Sequence, residues 1–307
     1  MLKRYLKSVL PARVWRALAK TKLACINAWK RSVDGSRHTA VSLILLPIRV
    51  LPTQLQANVK ERLEPVRNMD YRRATIRMAV NSEWQHYRLR SASKEPETID
   101  WIESTLREDD VFYDIGANVG AYSLVASAVT MRRAMIYAFE PGFSTFHELC
   151  RNVVLNSASD HIVPLQVGLG AETGLSNFIY SELSAGAASH AWEGMHAWEG
   201  WNGRQVARVT KHYAQYTPCY RLDDLISLLH LKAPNVVKID VDGPEYEVLL
   251  GAKGTFSDIA VRSILIECED VRLGLIGALL ESYGFALDQA HQRGMTWSNY
   301  IYTRPAL

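Results

Sequence analysis

Residues 114–120, which read D-I-G-A-N-V-G, place an acidic side chain and two glycines at the start of a predicted helix. Gly116 and Gly120 let the backbone turn tightly and come close to a ligand. The N terminus of the following helix offers free N–H groups to an anionic group. A structural interpretation is also open, since the glycines can permit close packing of the helix on a strand and Asp114 can cap the helix.

A second acidic residue, Glu140, stands 26 residues after Asp114, at the end of the next predicted strand. A carboxylate there can accept hydrogen bonds from both hydroxyls of a ribose, although it could equally be an exposed strand end. The patterns G-x-G-x-x-G and G-x-x-x-x-G-K-[ST] are absent from the sequence, which argues against NAD and ATP. An acidic strand end, a glycine turn and a ribose acceptor together fit a nucleoside that carries an amino acid, S-adenosylmethionine.

A third group of carboxylates is predicted at the same edge of the sheet. Asp240 ends a later strand and should face the methyl group, with Asp242, Glu245 and Glu267 nearby. Such a set can deprotonate an alcohol or hold a divalent cation. We therefore predict Asp240, Asp242 and Glu245 as catalytic residues, and Asp240 and Glu267 as candidate ligands of Mg²⁺. Helix capping and first-turn charge are the alternative for Asp242 and Glu245.

These strand ends require a sheet, and the sequence alternates predicted strands with predicted helices. The strands are predicted at 111–115, 134–139, 162–169, 236–241, 263–267, 285–288 and 299–303. The helices are predicted at 121–129, 144–155, 246–250 and 273–283. This alternation predicts an α/β fold with a mainly parallel sheet, helices on both faces and an antiparallel edge. Ahead of it, residues 74–80 and 84–90 are predicted as a hairpin of two short strands.

The composition indicates a folded, cytoplasmic protein. The chain has 307 residues, of which 48% are hydrophobic and 22% are charged, enough for a buried core. Four cysteines without a C-x-x-C pair predict reduced thiols and no structural zinc site. The longest apolar run, residues 40–52, is broken by Pro47 and Arg49 and is shorter than the roughly 20 residues of a membrane span. The N terminus does not have the pattern of a secretory signal.

The charge is divided unevenly along the chain. Residues 1–90 carry 19 Lys and Arg against 5 Asp and Glu, whereas residues 91–307 carry 16 against 27. Residues 1–35 predict two basic amphipathic helices, which can lie peripherally on an anionic membrane surface. Packing on the main domain or on a second subunit of a homo-oligomer is the alternative, and nucleic acid binding is disfavoured because no recognisable module accompanies the charge. We predict a basic helical arm and linker over 1–70 and a catalytic domain over 71–307.

Residues 170–234 form a predicted insertion between two strands. It contains a tandem H-A-W-E-G repeat at 190–194 and 196–200. Tryptophans in such a loop can stack on a sugar ring, and His190, His196 or His212 can act as base or ligand. We predict a substrate lid, with a neutral duplication in a variable loop as the alternative.

Over residues 71–303 the sequence resembles the FkbM family of S-adenosylmethionine-dependent methyltransferases. The motifs that carry the resemblance are K-E-P at 94–96, V-F-Y-D-I-G-A-N-V-G at 111–120, A-F-E-P at 138–141, R-L-D-D-L at 221–225, V-K-I-D-V-D-G at 237–243, E-Y-E-V-L at 245–249 and I-L-I-E at 264–267. The resemblance implies a seven-stranded class I methyltransferase (Rossmann-like) fold. It also implies methyl transfer, mostly to oxygen, on a small-molecule or glycan acceptor such as a sugar, a glycolipid or a secondary metabolite. The cofactor site implied by the resemblance comprises Glu95, Asp114, Gly116, Ala117, Asn118, Gly120, Glu140, Pro141, Gly168 and Asp240.

The sequence departs from the family at one point near the site. Where the family commonly has Glu followed by Gly-Ala-Glu, this chain has D-G-P-E at residues 242–245, which shortens one carboxylate and stiffens the turn. The first 70 residues fall outside the resemblance. N-methylation, O-methylation of a secondary metabolite, and a catalytically silent nucleoside-binding or membrane-surface module stay open as alternatives.

Overall fold

The computed structural model describes residues 48–187, 190–192, 213–293 and 296–305. The two predicted N-terminal helices lie outside these residues. The second H-A-W-E-G copy, which begins at His196, and His212 lie outside them as well. The chain divides into two compact units, residues 1–64 and 65–307. In the first unit the structure describes helix α1 (Thr53–Arg62), which has no buried residue. No helix in the described ranges is long and apolar enough to cross a membrane.

The second unit alternates strands and helices from residue 111 onward, except for five successive described strands over residues 162–220. The strands are β1 (Val66–Asn68), β2 (Arg77–Ala79), β3 (Val111–Ile115), β4 (Met135–Phe139), β5 (Ile162–Leu165), β6 (Gly168–Leu169), β7 (Gly174–Tyr180), β8 (Ala191–Trp192), β9 (Tyr213–Tyr220), β10 (Val236–Ile239), β11 (Ser263–Glu269), β12 (Ala286–Gln292) and β13 (Trp297–Thr303). The helices are α2 (Glu83–Arg88), α3 (Ser91–Lys94), α4 (Pro96–Thr105), α5 (Ala121–Val129), α6 (Phe143–Leu155), α7 (Leu222–Leu229), α8 (Glu245–Gly251), α9 (Lys253–Ser257) and α10 (Leu273–Ser282).

A seven-stranded sheet with the order β12-β13-β11-β10-β3-β4-β5 forms the centre of this unit. The pairs from β11 through β5 are parallel, and β13 is antiparallel to both of its neighbours. This confirms the predicted class I, Rossmann-like fold with an antiparallel edge. Since the chain runs from β3 outward to β5 and then returns to β10 on the other side, the strand order reverses between β3 and β10, where open α/β sheets bind ligands.

Buried side chains cover both faces of this sheet, because successive residues of a buried strand point to opposite sides. All five residues of β3 are buried. Phe112 belongs to a core cluster that includes Val125 of α5 and Leu149 of α6. Tyr113 belongs to the cluster on the other face, which includes Leu249 of α8. The prediction of helices on both faces is therefore confirmed.

The predicted hairpin over 74–80 and 84–90 is wrong in its second half. Residues 83–88 form helix α2, in which the Ser82 side chain caps the first turn by accepting a hydrogen bond from Gln85 N at 3.0 Å. The buried side chain of Gln85 fixes the helix on the domain. Strand β2 pairs instead with β1, antiparallel, with Arg67 opposite Met78. Short segments of this kind are decided by caps and burial more than by strand propensity.

The predicted strand over 162–169 is divided between two sheets. β5 closes one edge of the central sheet, whereas β6 belongs to a four-stranded sheet with the order β6-β9-β7-β8. The flanks of the predicted 170–234 insertion are thus strand and helix, with β7 and β9 paired antiparallel over seven residue pairs. This second sheet brings β8 and the end of β6 to the carboxyl edge of the central sheet, because both line the cavity described below.

Candidate active site

The turn between β3 and α5 brings the end of β3 against the end of β10. Gly116 has φ +79°, and a Cβ there would lie 1.8 Å from the carbonyl oxygen of Asp240. Gly120 has φ +84°, and a Cβ there would lie 2.5 Å from Leu149 Cδ1. Gly116 is therefore required by close backbone packing, and Gly120 is favoured by its positive φ and by the nearby Leu149 side chain. That packing also shapes the floor of a cavity, since Gly116 lines it.

Glu140 lies at the end of β4 and lines the same cavity, with its side chain almost fully buried. Gly142 N donates to its Oε1 at 2.7 Å and Asn118 N donates to its Oε2 at 3.0 Å. Burial raises the pKa of Glu140 to about 7, against the effect of these two hydrogen bonds. Each carboxylate oxygen accepts one backbone N–H, so each keeps a lone pair for a ligand hydroxyl.

The cavity opens between the carboxyl ends of β3, β4 and β10. Its walls are formed by Ile115, Gly116, Asn118, Phe139, Glu140, Pro141, Val167, Gly168, Leu169, Phe178, Ala187, His190, Trp192, Asp240, Val241, Asp242 and Pro244. Of the residues predicted as cofactor-binding, catalytic or Mg²⁺-binding, seven are brought together here: Gly116, Asn118, Glu140, Pro141, Gly168, Asp240 and Asp242. His190, predicted as a base or ligand in the insertion, also lines the cavity. The other six residues predicted for those three roles, Glu95, Asp114, Ala117, Gly120, Glu245 and Glu267, do not line it.

Asp114 lies behind the cavity wall and is fully buried. Its Oδ2 accepts a hydrogen bond from Ser123 Oγ at 2.6 Å, and its Oδ1 is 3.9 Å from Lys238 Nζ without a hydrogen-bond partner in the described part of the chain. Burial raises the pKa of Asp114 more than Lys238 lowers it. In this structure Asp114 therefore supports the wall of the cavity instead of facing its interior.

Lys238 forms the charged centre of the β10 end. Its Nζ lies 2.9 Å from Asp240 Oδ2 and 4.9 Å from the centre of the Tyr122 ring. Burial opposes the charge on Lys238, but Asp240 and Asp114 outweigh burial and raise its pKa. The ion pair with Lys238 holds the carboxylate of Asp240 in place at the cavity.

Asp240 and Glu267 form a hydrogen-bonded carboxyl pair. Burial opposes the ionisation of both, and Lys238 overcomes it at Asp240, whose pKa is lowered. At Glu267, burial and the Asp240 charge raise the pKa above its ordinary range. Glu267 consequently holds the proton that it donates to the ionised Asp240.

Glu245 lies beneath the turn that carries Asp242. It is fully buried, its Oε1 accepts a hydrogen bond from Gly243 N, and its Oε2 lies 3.2 Å from Arg272 Nη1. Burial raises the pKa of Glu245 to about 7. Asp242 itself has φ +55° and lines the cavity. The geometry thus makes Glu245 a residue that positions this turn, while Asp242 faces the ligand space.

Glu95 sits in a charged cluster away from the cavity wall. Its Oε1 lies 2.9 Å from Lys94 Nζ and 2.8 Å from Arg293 Nη2, and Arg293 also pairs with Glu97 at 3.1 Å. For Mg²⁺, Asp240 and Glu267 are adjacent, yet within the described ranges no three acidic, histidine or cysteine side chains are grouped to hold a metal ion. The Mg²⁺ prediction is therefore not supported.

The second sheet adds aromatic side chains to the cavity. His190 packs edge-on against Phe178 with ring centres 5.5 Å apart, and Trp192 packs on the same ring at 4.8 Å. Burial lowers the pKa of His190 to about 4, so its imidazole is neutral at neutral pH. Its Nδ1 accepts a hydrogen bond from Ser181 N at 3.3 Å, which leaves the proton on Nε2.

Sequence reasoning did not identify Phe178, Ala187 or Arg88. Phe178 and Ala187 line the cavity, and Arg88 donates from Nε and Nη2 to the Gly186 carbonyl oxygen at 3.2 Å beside it. These residues come from segments that are distant along the chain and carry no motif. Nothing in a single sequence indicates that α2 and the segment before β8 meet.

Residues 114–288 match the family described as the Methyltransferase FkbM domain. The chain is 29% identical over 184 residues to the hexuronic acid methyltransferase AglP of Haloferax volcanii, a match that covers 60% of this chain and 66%, just under two thirds, of that protein. It is 29% identical over 198 residues to the 31-O-demethyl-FK506 methyltransferase FkbM of Streptomyces tacrolimicus, covering 59% and 75%. The crystal structure of methyltransferase FkbM from Methylobacillus flagellatus aligns with a TM-score of 0.43 at 15% identity, covering 85% of this chain and 60% of that one.

Proposed function

The chain belongs to the FkbM methyltransferase family and is an S-adenosylmethionine-dependent enzyme, and from this we propose that it methylates a hydroxyl oxygen of a carbohydrate or glycolipid. The observation that carries the proposal is the ionised carboxylate of Asp240 at the cavity, fixed between Lys238 and Glu267. A carboxylate at this place suits an acceptor that must lose a proton. The similarity to a hexuronic acid methyltransferase supports a sugar as acceptor.

The residues present fit S-adenosylmethionine. Glu140 lines the cavity with a free lone pair on each oxygen, as a ribose-binding carboxylate requires. Gly116 lines the part next to Asp240 and would hold the amino acid end, and Asn118 lines the cavity beside Glu140. When bound, the cofactor supplies an electrophilic methyl group on a sulfonium.

Asp240 performs the proton transfer in the proposed reaction. It accepts a hydrogen bond from the acceptor hydroxyl and thereby directs an oxygen lone pair at the methyl group, so that much of the rate comes from positioning. The oxygen becomes strongly acidic as its bond to the methyl carbon forms and the bond to sulfur breaks. A carboxylate of lowered pKa can therefore still take the hydroxyl proton.

The test has two stages. Titration calorimetry with S-adenosylmethionine and S-adenosylhomocysteine measures cofactor binding without an acceptor. Transfer of a labelled methyl group is then measured to glucuronic acid, to glucose as its neutral counterpart, and to a panel of amines. Label in a sugar at an alkali-stable ether position supports the proposal. Label only in amines would indicate N-methylation, and binding without any transfer would indicate a silent binding module.

For the N-terminal region, which lies outside the described residues, we propose peripheral association of residues 1–35 with an anionic membrane. The support is the excess of 19 basic over 5 acidic residues in residues 1–90. The full chain should sediment with vesicles that contain phosphatidylserine and not with purely phosphatidylcholine vesicles, and deletion of residues 1–35 should abolish sedimentation. A changed oligomeric mass on deletion, with sedimentation unaltered, would favour packing against a second subunit.

A further inference from the structure

Helix α2 and its cap Ser82 are hydrogen-bonded to the segment that leads into β8. Ser82 Oγ donates to the carbonyl oxygen of Ala185 at 2.7 Å, and Trp84 Nε1 donates to Glu182 Oε2 at 3.0 Å. Gly186 has φ +85°, and a Cβ there would lie 3.2 Å from Gln85 N. This close approach allows the Arg88 guanidinium to donate from both Nε and Nη2 to the Gly186 carbonyl oxygen at 3.2 Å.

The same segment forms part of the cavity wall. Ala187, the residue after the one that Arg88 contacts, lines the cavity, and its carbonyl oxygen accepts a hydrogen bond from Asn118 Nδ2 at 3.1 Å. Asn118 N in turn donates to Glu140. Arg88 does not itself line the cavity, but a short chain of contacts connects it to the cavity wall at Ala187 and Asn118, on the side of the β3–α5 turn.

Arg88 differs from the other cations around the site because it has no carboxylate partner in the described parts of the chain. Lys238 pairs with Asp240, Lys94 pairs with Glu95, and Arg293 pairs with Glu95 and Glu97. Arg88 contacts only a neutral carbonyl through two of its nitrogens. A partly buried guanidinium without a counter-ion favours the arrival of an anion.

The charge of Arg88 acts on both ends of the cavity. Burial is the main effect on the pKa of Glu140 and opposes ionisation of Asp240, and Arg88 acts in the opposite direction on both. Glu140 marks the predicted ribose end and Asp240 the predicted methyl end. Arg88 is therefore within electrostatic range of both Glu140 and Asp240.

We propose that Arg88 binds a carboxylate in the active site, either the carboxylate of the methionine portion of the cofactor or a carboxylate of an acidic acceptor sugar. A guanidinium presents a planar fork of donors that matches a carboxylate, and Nη1 is not used by Gly186. Binding of an acceptor carboxylate by Arg88 rests on the function proposed above. Binding of the cofactor carboxylate requires only that the chain belongs to the methyltransferase family.

The experiment compares Arg88→Gln with the unaltered chain by calorimetry and by methyl transfer. S-adenosylhomocysteine carries the carboxylate, and 5′-methylthioadenosine lacks the whole amino acid. If Arg88 binds the cofactor carboxylate, the variant loses about tenfold or more in affinity for S-adenosylhomocysteine and none for 5′-methylthioadenosine. If Arg88 binds an acceptor carboxylate, affinity for both nucleosides is unchanged and KM for glucuronic acid rises about tenfold, while KM for glucose does not change.

Arg90→Gln is the matched control, since Arg90 is exposed on the same segment. Arg88→Lys should recover part of the lost affinity by keeping the charge. Equal losses for S-adenosylhomocysteine and 5′-methylthioadenosine would assign Arg88 a structural role at Gly186 and overturn the proposal, as would no change in either nucleoside or in KM. If the unaltered chain methylates no sugar, the proposed acceptor class fails, and the comparison of the two nucleosides still tests Arg88.

Discussion

At the scale of single residues, two carboxylates of one cavity are tuned in opposite directions. Burial raises the pKa of Glu140 to about 7, whereas Lys238 and the hydrogen bond from Glu267 overcome burial and lower the pKa of Asp240. Asp240 is thus ionised throughout the neutral range, and Glu140 titrates within it. Different environments of chemically similar groups commonly separate their roles. In the proposed reaction they separate ligand binding by Glu140 from proton acceptance by Asp240.

Glu140 predicts a pH dependence of cofactor binding. Ribose hydroxyls donate hydrogen bonds, so they bind the ionised carboxylate better than the protonated one, and affinity for S-adenosylhomocysteine should fall as the pH decreases through about 7. Calorimetry between about pH 6 and about pH 8 should show a decrease approaching tenfold per unit below the pKa. Glu140→Gln should bind more weakly and lose most of this dependence. An unchanged pH profile in Glu140→Gln would remove the ribose role.

The proposed role of Asp240 as proton acceptor predicts that its substitution lowers kcat more than the affinity for the cofactor. Asp240→Asn keeps the side-chain shape but removes the proton acceptor, so kcat should fall by about 10²-fold or more while the affinity for S-adenosylhomocysteine changes much less. Asp242→Asn is the comparison, since Asp242 lines the same cavity and is the other predicted catalytic carboxylate there. A larger loss of kcat in Asp242→Asn than in Asp240→Asn would transfer the base role to Asp242.

The sequence allowed the residues of the strand ends to be predicted, because a motif places them at fixed positions on successive strands. Glu140 and Asp240 are examples, and both line the cavity. Their protonation could not be predicted, since it depends on Lys238 and Glu267 packing around one point. Arg88 could not be predicted either, because its contact with Gly186 joins residues 98 positions apart.

At the scale of elements, the alternation of predicted strands with predicted helices identified the central sheet correctly. The prediction of a helix over 121–129 matches α5 residue for residue. The errors fall on short elements, where one cap or one buried side chain decides the outcome: α2 was predicted as a strand, and β5 and β6 were predicted as one strand. The carbonyl oxygen of Tyr220 accepts a hydrogen bond from Gly170 N, so the chain after β5 has already joined the second sheet.

In the second sheet, Gly168 of β6 packs so closely on the indole of Trp192 of β8 that substitutions at the two positions should affect each other. A Cβ on Gly168 would lie 2.1 Å from Trp192 Cζ2, and both residues line the cavity. Gly168→Ala should displace the indole and weaken binding of S-adenosylhomocysteine by about tenfold, within the range of overpacking effects of about 1–3 kcal/mol. Trp192→Phe removes the clashing atoms, so Gly168→Ala should cost much less in a Trp192→Phe background.

The control for this cycle is Gly174→Ala on β7, where an added Cβ meets nothing within 4 Å. It should leave both stability and binding unchanged. Additive effects of Gly168→Ala and Trp192→Phe in the double variant would show that the two residues do not act on each other.

At the scale of the whole molecule, the site is built from several buried acids, and this has a consequence for stability. Glu140 and Glu245 each have a pKa of about 7, above the ordinary value of 4.5. Between these two values the folded state keeps protons that the unfolded state has lost. The free energy of unfolding therefore falls as the pH rises through this window.

His190 acts in the opposite direction over part of the window. Burial lowers its pKa to about 4, so in the folded state it stays neutral where the unfolded state binds a proton, and its contribution to stability rises with pH up to about 6.5. The effects of the acids and of His190 partly cancel below this pH. Above it His190 no longer offsets the two acids, and their contribution should make stability decrease from about pH 6.5 until both are ionised in the folded state, above about pH 7.

The measurement is urea unfolding of the ligand-free chain at several pH values, compared with Glu245→Gln. Glutamine can still accept the hydrogen bond from Gly243 N but does not titrate, so the variant should show a flatter decrease, by roughly 1 kcal/mol per pH unit within the window. Glu172→Gln, at an exposed position, should reproduce the slope of the unaltered chain. A slope in Glu245→Gln as steep as that of the unaltered chain would mean that Glu245 is ionised in the folded state well below pH 7, and that Arg272 outweighs its burial.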